Sequence, residues 1–142
     1  EAKLTFANFA RVQLYAALAS LKLGLDILGR ENVAVDRLLG HGGYFKTPEA
    51  GQRMLAAAAG APVSVMETAG EGGPWGMALL AAYSAAKAGN QSLEGFLDSR
   101  VFAGQKVSTI APDPADAAGF NAYIKRFAGA MPVEKAAVEY LK

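Results

Sequence analysis

Apolar residues recur every three or four positions near the start of the chain. Between Thr5 and Leu28 this spacing predicts one long amphipathic helix. Thr5 suits the N-cap because a threonine hydroxyl accepts the first free amides, and Gly29 suits the end because glycine enters a left-handed turn at little cost. The apolar face is built from Phe6, Phe9, Leu14, Leu18, Leu21, Leu25 and Leu28.

Two short apolar runs predict strands. The first runs from Val33 to Leu39 and is expected to be buried, and the second runs from Pro62 to Met66. Each run leads into a glycine-rich loop and then into a helical pattern. Crossovers of this length favour parallel pairing, so the order predicts an α/β domain that is mostly helical, with about two parallel strands.

The remaining polar and apolar pattern predicts further helices with loops between them. Gly60 is expected to stop the second helix, and Ser92 to cap a short one. Residues 101–110 are expected to be irregular or weakly extended. The predicted helices cover residues 48–59, 75–87, 92–97 and 114–142, the last with a break near residues 129–132.

Composition narrows the class of protein. The 142 residues have the size of a single domain, residues 1–142, with 52% hydrophobic residues and no Cys. Without Cys there are no disulfides or thiolate metal sites. The 14 basic and 13 acidic residues give no basic footprint for nucleic acid, and no uninterrupted apolar run of about 20 residues is present. We expect a cytoplasmic domain that binds neither nucleic acid nor membrane.

The first glycine loop, residues 40–43, is the main candidate for chemistry. Gly42 and Gly43 leave the backbone open to a flat or anionic ligand at the carboxyl end of a predicted strand. The loop is neither a Walker A motif nor a dinucleotide fingerprint, because Phe45 stands where either motif needs glycine. The alternative is a strand-to-helix turn that needs glycine only for its conformation.

Polar residues beside the two loops extend the candidate site. Lys46 and Thr47, with free amides of a helix start, are suited to hold a phosphate or a nucleotide hydroxyl. Thr47 equally suits the N-cap of the second helix, with Pro48 at the first helical position. Glu67 and Glu71 flank the second loop and suit acid–base work or Mg²⁺, but Glu71 also suits a helix N-terminus, the role we favour.

Three segments in order, residues 38–58, 60–63 and 71–82, resemble the C-terminal domain of the FGGY carbohydrate kinases. Within that family the chain looks most like the ribulokinase and xylulokinase branch. The resemblance implies part of an actin-like ATPase (ribonuclease H-like) fold. Gly42 and Gly43 match the glycine pair that faces the adenosine and α-phosphate. Thr47 matches the small polar residue near the nucleotide, and Lys46 matches a lysine without a firm role.

The chain also departs from the family pattern. His41 stands where many members have glycine, and either Gln52 or Arg53 matches the family's glutamine. The family's catalytic Asp and its phosphate loops come before the matched region. No catalytic residue and no metal ligand are therefore assigned within this chain.

The resemblance implies a function for the complete enzyme. ATP and Mg²⁺ would lie between two domains, and a separate N-terminal domain would hold a sugar such as ribulose or xylulose. We expect this chain to be a C-terminal piece that supplies the adenosine-side half-site and is inactive alone. The alternatives are a small ligand-binding module, or a helical interaction domain that buries its apolar faces completely.

A piece with so few strands is expected to leave apolar surface uncovered. An unpaired strand edge invites pairing with another chain. We therefore expect either a homodimer that covers residues 33–39, or an exposed apolar patch on the first helix or on the sheet face.

Overall fold

The computed structural model describes residues 3–86 and 91–141. The predicted helix end at Lys87 and the terminal Lys142 lie outside the described residues. The helices are α1 (Phe6–Arg30), α2 (Ala50–Ala59), α3 (Gly72–Ala86), α4 (Leu93–Phe96) and α5 (Pro114–Tyr140), and the strands are β1 (Leu38–Gly40), β2 (Val63–Met66) and β3 (Val107–Ile110). A π-helical turn, Leu97–Val101, continues α4.

The sheet has three strands in the order β1-β2-β3. β1 pairs with β2 in parallel, with Leu38 opposite Val63, and β2 pairs with β3 antiparallel, with Val63 opposite Ile110. The expected parallel pair is therefore present as β1 and β2, and β3 is a further, antiparallel strand that the expectation did not include. β3 was missed because its residues are mostly exposed and carry little apolar pattern.

The first strand is much shorter than expected. Only residues 38–40 pair, and Val33 and Leu39 are exposed. The β-branched residues at 33 and 35 therefore belong to the connection between α1 and the sheet. The chain enters this connection through Asn32, whose φ is 59°, so Gly29 lies inside α1 and does not end it.

Local capping signals place several helix ends correctly. The Thr5 hydroxyl accepts the Asn8 amide at 3.2 Å, and the Ser92 hydroxyl accepts the Gly95 amide at 3.1 Å. Gly60 ends α2 in the left-handed conformation. α5 runs through Pro132 without the expected break. Pro132 has no amide to donate to the carbonyl of Ala128, four residues earlier, but Ala128 is exposed, so water can reach that carbonyl.

The core lies where α2 packs against β2, α1 and α5. Phe120 of α5 is fully buried, and its ring meets that of Tyr15 edge-on with centroids 5.0 Å apart. Small residues let the helices approach here, as Ala19 and Ala56 are completely buried. The core residues are Tyr15, Leu18, Ala19, Leu55, Ala56, Ala58, Val63, Phe120 and Ile124.

Large apolar surfaces stay uncovered on α1 and α3. Phe6 of α1 is 85% exposed, and Met77 of α3 is 74% exposed. Within the described helix α3, no residue is buried and none is charged. The exposed patch expected on the first helix is confirmed, and complete burial of apolar faces is wrong. By length and composition alone α1 could also cross a bilayer, a test that core helices of soluble proteins pass as well.

The side chain of Gln52 links α2 to the sheet through hydrogen bonds. Its side-chain amide donates to the Val63 carbonyl at 2.7 Å and to the Ser108 carbonyl at 2.9 Å, so one buried group ties α2 to both β2 and β3. Arg53 beside it is exposed and pairs with Glu49. Of the two residues that could match the family's glutamine, Gln52 is the one that is buried and has a structural role.

Replacing Gln52→Met keeps the length of the side chain and removes both hydrogen bonds. We expect the free energy of unfolding to fall by about 1–3 kcal/mol, because buried carbonyls lose their donor. Urea denaturation measures the change. The matched variant Arg53→Met should stay within about 0.5 kcal/mol of the parent chain, since exposed ion pairs contribute little. Equal losses for both variants would contradict the linking role of Gln52.

Candidate functional site

The carboxyl ends of β1 and β2 lie at the same edge of the sheet because the two strands are parallel. Gly40 and Met66 are their last residues, and β3 begins at this edge with Val107. Two loops leave the edge, residues 41–49 after β1 and residues 67–71 after β2. Open α/β sheets bind their ligands at such edges.

The two loops contact each other through glycines. The Gly42 amide donates to the Ala69 carbonyl at 2.6 Å. Gly42 has φ 98° and ψ −177°, a combination that essentially only glycine adopts. A Cβ on Gly72, the first residue of α3, would lie 3.1 Å from the Gly42 Cα, and Gly72 has φ 45°, so this contact also favours glycine where the second loop enters α3. The sequence thus positions the two loops as one unit.

The four predicted site residues are Gly42, which makes this contact, and Gly43, Lys46 and Thr47, which come after it in the chain. Gly43 begins a 3₁₀ turn that ends at Phe45, and Lys46 and Thr47 follow it. A Cβ on Gly43 would meet no atom within 4 Å, so the backbone there is open. The Lys46 and Thr47 side chains are exposed. The structure brings Gly42, Gly43 and Lys46 to the loop contact and directs Thr47 to a neighbouring cavity.

A cavity of about 490 Å³ opens beside Thr47. It lies between the start of α2, the end of β2 and the start of β3, and volumes of this size are typical of small-molecule sites. Its walls combine apolar side chains with three charged ones at the rim. The lining residues are Phe45, Thr47, Pro48, Glu49, Gln52, Val65, Met66, Glu67, Lys106, Val107 and Ser108.

Some residues that line the cavity are far from the glycine loop in the sequence, so the loop motif does not predict them. Ser108 lies in β3 and Lys106 directly precedes β3, about sixty residues after the glycines. Only the antiparallel pairing of β3 with β2 brings them to this edge. A prediction of β3 would have been needed to find them.

The start of α2 differs from the expectation for Thr47. α2 begins at Ala50 with Glu49 at the cap position, so Thr47 is not the N-cap and Pro48 is not the first helical residue. Glu49 has φ 60° and makes no side-chain cap. A non-glycine residue with this φ stores backbone strain, and such strain concentrates at ligand sites. The strained residue lies at the rim of the cavity.

Tyr44 supports the loop from beneath. Its ring packs edge-on against Phe45, with centroids 5.5 Å apart, and reaches the apolar core. Its buried hydroxyl has no hydrogen-bond partner among the described residues. Burial raises the pKa of Tyr44 from 10.0 to about 12.

Comparison with known proteins identifies the family. Residues 1–85 match the model of the FGGY family of carbohydrate kinases, C-terminal domain. The match covers more than half of the chain and includes α1, both glycine loops and most of α3. The chain therefore belongs to the FGGY carbohydrate kinases and carries their C-terminal domain. No curated protein and no solved structure matches the chain significantly.

Membership in this family implies the phosphorylation of a sugar. Kinases of the family generally use ATP and Mg²⁺. Among residues 3–86 and 91–141 there is no group of three or more Asp, Glu or His side chains that could hold a metal ion.

Alkaline titration tests the environment of Tyr44. The folded state keeps the Tyr44 proton to about pH 12, whereas the unfolded state loses it near pH 10. This contribution to stability is complete below pH 10 and is lost as pH rises from 10 to 12. Tyr44→Phe should therefore reduce the alkaline loss measured by urea denaturation, and should not destabilise the fold at pH 7, since no hydrogen bond is lost.

The control for this experiment is Tyr140→Phe, which replaces a tyrosine that is 79% exposed. It should leave the pH dependence of the free energy of unfolding unchanged. A loss at pH 7 of more than about 1 kcal/mol in Tyr44→Phe would mean that the hydroxyl has a partner after all.

Proposed function

We propose that this chain supplies the adenosine-side half-site of a cytoplasmic sugar kinase whose substrate is a pentulose such as ribulose or xylulose. The observation that carries the proposal is the contact between two glycine loops at the carboxyl edge of the sheet. The family match spans both loops. The surrounding fold would then be part of an actin-like ATPase domain.

The loop geometry suits a nucleoside. The backbone at Gly43 has open space above it, so a flat group can approach without meeting a side chain. The Thr47 hydroxyl is exposed beside the cavity and can exchange hydrogen bonds with a ribose or a base. Lys46 supplies a cation at the same loop. Together these groups bind and orient one end of ATP.

Turnover needs groups that these loops do not supply. Phosphoryl transfer depends on positioning, on a residue that accepts the sugar's proton, and on cations around the phosphates. His41 lies in the loop next to Gly42, with no acidic side chain hydrogen-bonded to it among the described residues. We assign no catalytic residue and no step involving Mg²⁺ to this chain.

The uncovered helices provide the second part of the proposal. α3 is apolar, uncharged and unburied along its described length, and α1 exposes phenylalanines at its start. A helix that is apolar all round is normally buried in a larger protein. We propose that α1 and α3 contact the remainder of a complete FGGY kinase, including a sugar-binding N-terminal domain, rather than a second copy bound along β1.

Nucleotide titration followed by ¹H–¹⁵N NMR tests the half-site. Millimolar ATP should shift the amide signals of Gly42, Gly43, Lys46 and Thr47 in a saturable manner. Gly43→Ala should weaken binding at least threefold without lowering the melting temperature, because the added methyl occupies the ligand's space and touches nothing in the fold. Gly24→Ala, also with nothing within 4 Å, is the matched control and should bind like the parent chain.

The titration also has outcomes that contradict the half-site. Signal changes confined to other elements, such as the end of α5, would assign the ligand elsewhere. Unchanged spectra at 10 mM nucleotide would favour an interaction module without a nucleotide.

An assay of the isolated chain tests the need for the rest of the enzyme. With ATP, Mg²⁺ and ribulose or xylulose, ADP should form no faster than in a reaction without sugar, because none of the residues assigned to the half-site is a base for the sugar's proton. A coupled assay for ADP measures the rate. Sugar-dependent ADP formation that is lost in Gly43→Ala would show that the chain is catalytically complete.

A further inference from the structure

We infer that Glu71 is a specificity-determining residue, which neutralises Lys46 so that the half-site recognises the nucleoside and does not select for phosphate charge. The inference rests on the proposed nucleotide half-site. It gives a role in ligand selection to an acidic residue for which the sequence favours a role at a helix start.

The Lys46 side chain lies across the second glycine loop. A Cβ on Gly70 would be 3.4 Å from the Lys46 Cγ and 3.7 Å from its Cε, so the aliphatic part of Lys46 passes over the open face of Gly70. Its Nζ then lies 4.0 Å from the Glu71 Oε1. The side chain thus runs from the first loop to the carboxylate of the second.

This ion pair differs from the other two ion pairs within residues 3–86 and 91–141. Lys22–Asp26 and Glu49–Arg53 each join residues four apart, as is common on helix surfaces. Lys46 and Glu71 are distant in the sequence and meet only because the two loops are joined. The Gly42–Ala69 hydrogen bond fixes the backbones that carry both charges.

The position of the pair makes it relevant to a ligand. Both side chains are mostly exposed, at 62% for Lys46 and 70% for Glu71, so they contribute little to stability. The Lys46 amide donates to the Gly43 carbonyl at 3.2 Å, and Glu71 directly precedes Gly72, which lies against Gly42, so the pair belongs to the same loop contact as the open backbone at Gly43 where the nucleoside is proposed to lie. Here a carboxylate partner offsets the attraction of the lysine for phosphate.

The charge balance predicts how the site treats AMP, ADP and ATP. An unpaired lysine beside the ligand would favour the nucleotide with more negative charge, since charge-assisted contacts to phosphate are strong. With Glu71 beside it, Lys46 adds almost no net charge to the loop. Affinity should then depend on the adenosine, which the three nucleotides share.

The test is to measure dissociation constants for AMP and ATP with the full chain and with Glu71→Gln. The parent chain should bind both nucleotides within about twofold of each other. Glu71→Gln should favour ATP over AMP by about two- to fivefold at low salt, the range expected for one exposed charge pair. The preference should shrink at 0.5 M NaCl, because salt screens exposed charges.

Two further variants separate this role from a structural one. Glu94→Gln removes an exposed acid from the first turn of α4 and changes the net charge equally, so it should leave the ATP-to-AMP ratio unchanged. Lys46→Met combined with Glu71→Gln should abolish the gained preference, because the unpaired cation is gone. Melting temperatures of all variants report on folding separately.

The outcomes distinguish the two proposals. If the parent chain binds nucleotide at Gly43 but Glu71→Gln leaves the ratio unchanged, or Glu94→Gln shifts it equally, the role of Glu71 is wrong and the half-site stands. If the parent chain binds no nucleotide, both the half-site and the role of Glu71 are overturned.

Discussion

The hydrogen bond from the Gly42 amide to the Ala69 carbonyl joins the two loops on which the functional account depends. It is possible because β1 and β2 are parallel and end at the same edge. Gly42 and Gly72 allow the backbones to approach closely. Gln52 holds the sheet and α2 together one layer below. The loop contact, the open backbone at Gly43 and the meeting of Lys46 with Glu71 all follow from this arrangement.

The distribution of apolar residues has a related explanation. The chain builds one core around Phe120 and Val63, where helices contact through alanines. The same chain leaves α3 and the start of α1 uncovered. Membership in the FGGY family offers a reason, since members of a kinase family built from more than one domain need surfaces that contact the remainder of the enzyme. The exposed helices and the half-site would then have one cause, because the complete enzyme distributes its binding groups over more than one domain.

The sequence predicts those features that depend on nearby residues. Thr5 and Ser92 cap the starts of α1 and α4, and Gly60 ends α2, as their side chains or lack of one predict. The periodic apolar residues of the first segment predict the helix α1. The glycine loop and its neighbours were also found, because strand, glycines and helix follow one another in the chain. The use of Gly42, Gly43, Lys46 and Thr47 for nucleotide stays a prediction.

Features that depend on distant residues could not be predicted in this way. β3 pairs with β2 through backbone groups and shows almost no apolar alternation, so only the tertiary structure reveals it and brings the preceding Lys106 to the cavity. Thr47 has good capping chemistry, but the chain turns through Glu49 and starts α2 three residues later. The meeting of Lys46 and Glu71 likewise depends on the contact of two separate loops.

The most direct test of the account is to locate the nucleoside on the chain by intermolecular nuclear Overhauser effects. With ATP bound, the adenine and ribose protons should show effects to the Thr47 methyl group and to the Gly43 Cα protons. The Ala78 and Ala82 methyl groups of α3 should show none. Effects to α3 or α5 in their place, under saturating nucleotide, would contradict the claim that the joined glycine loops form the adenosine half-site.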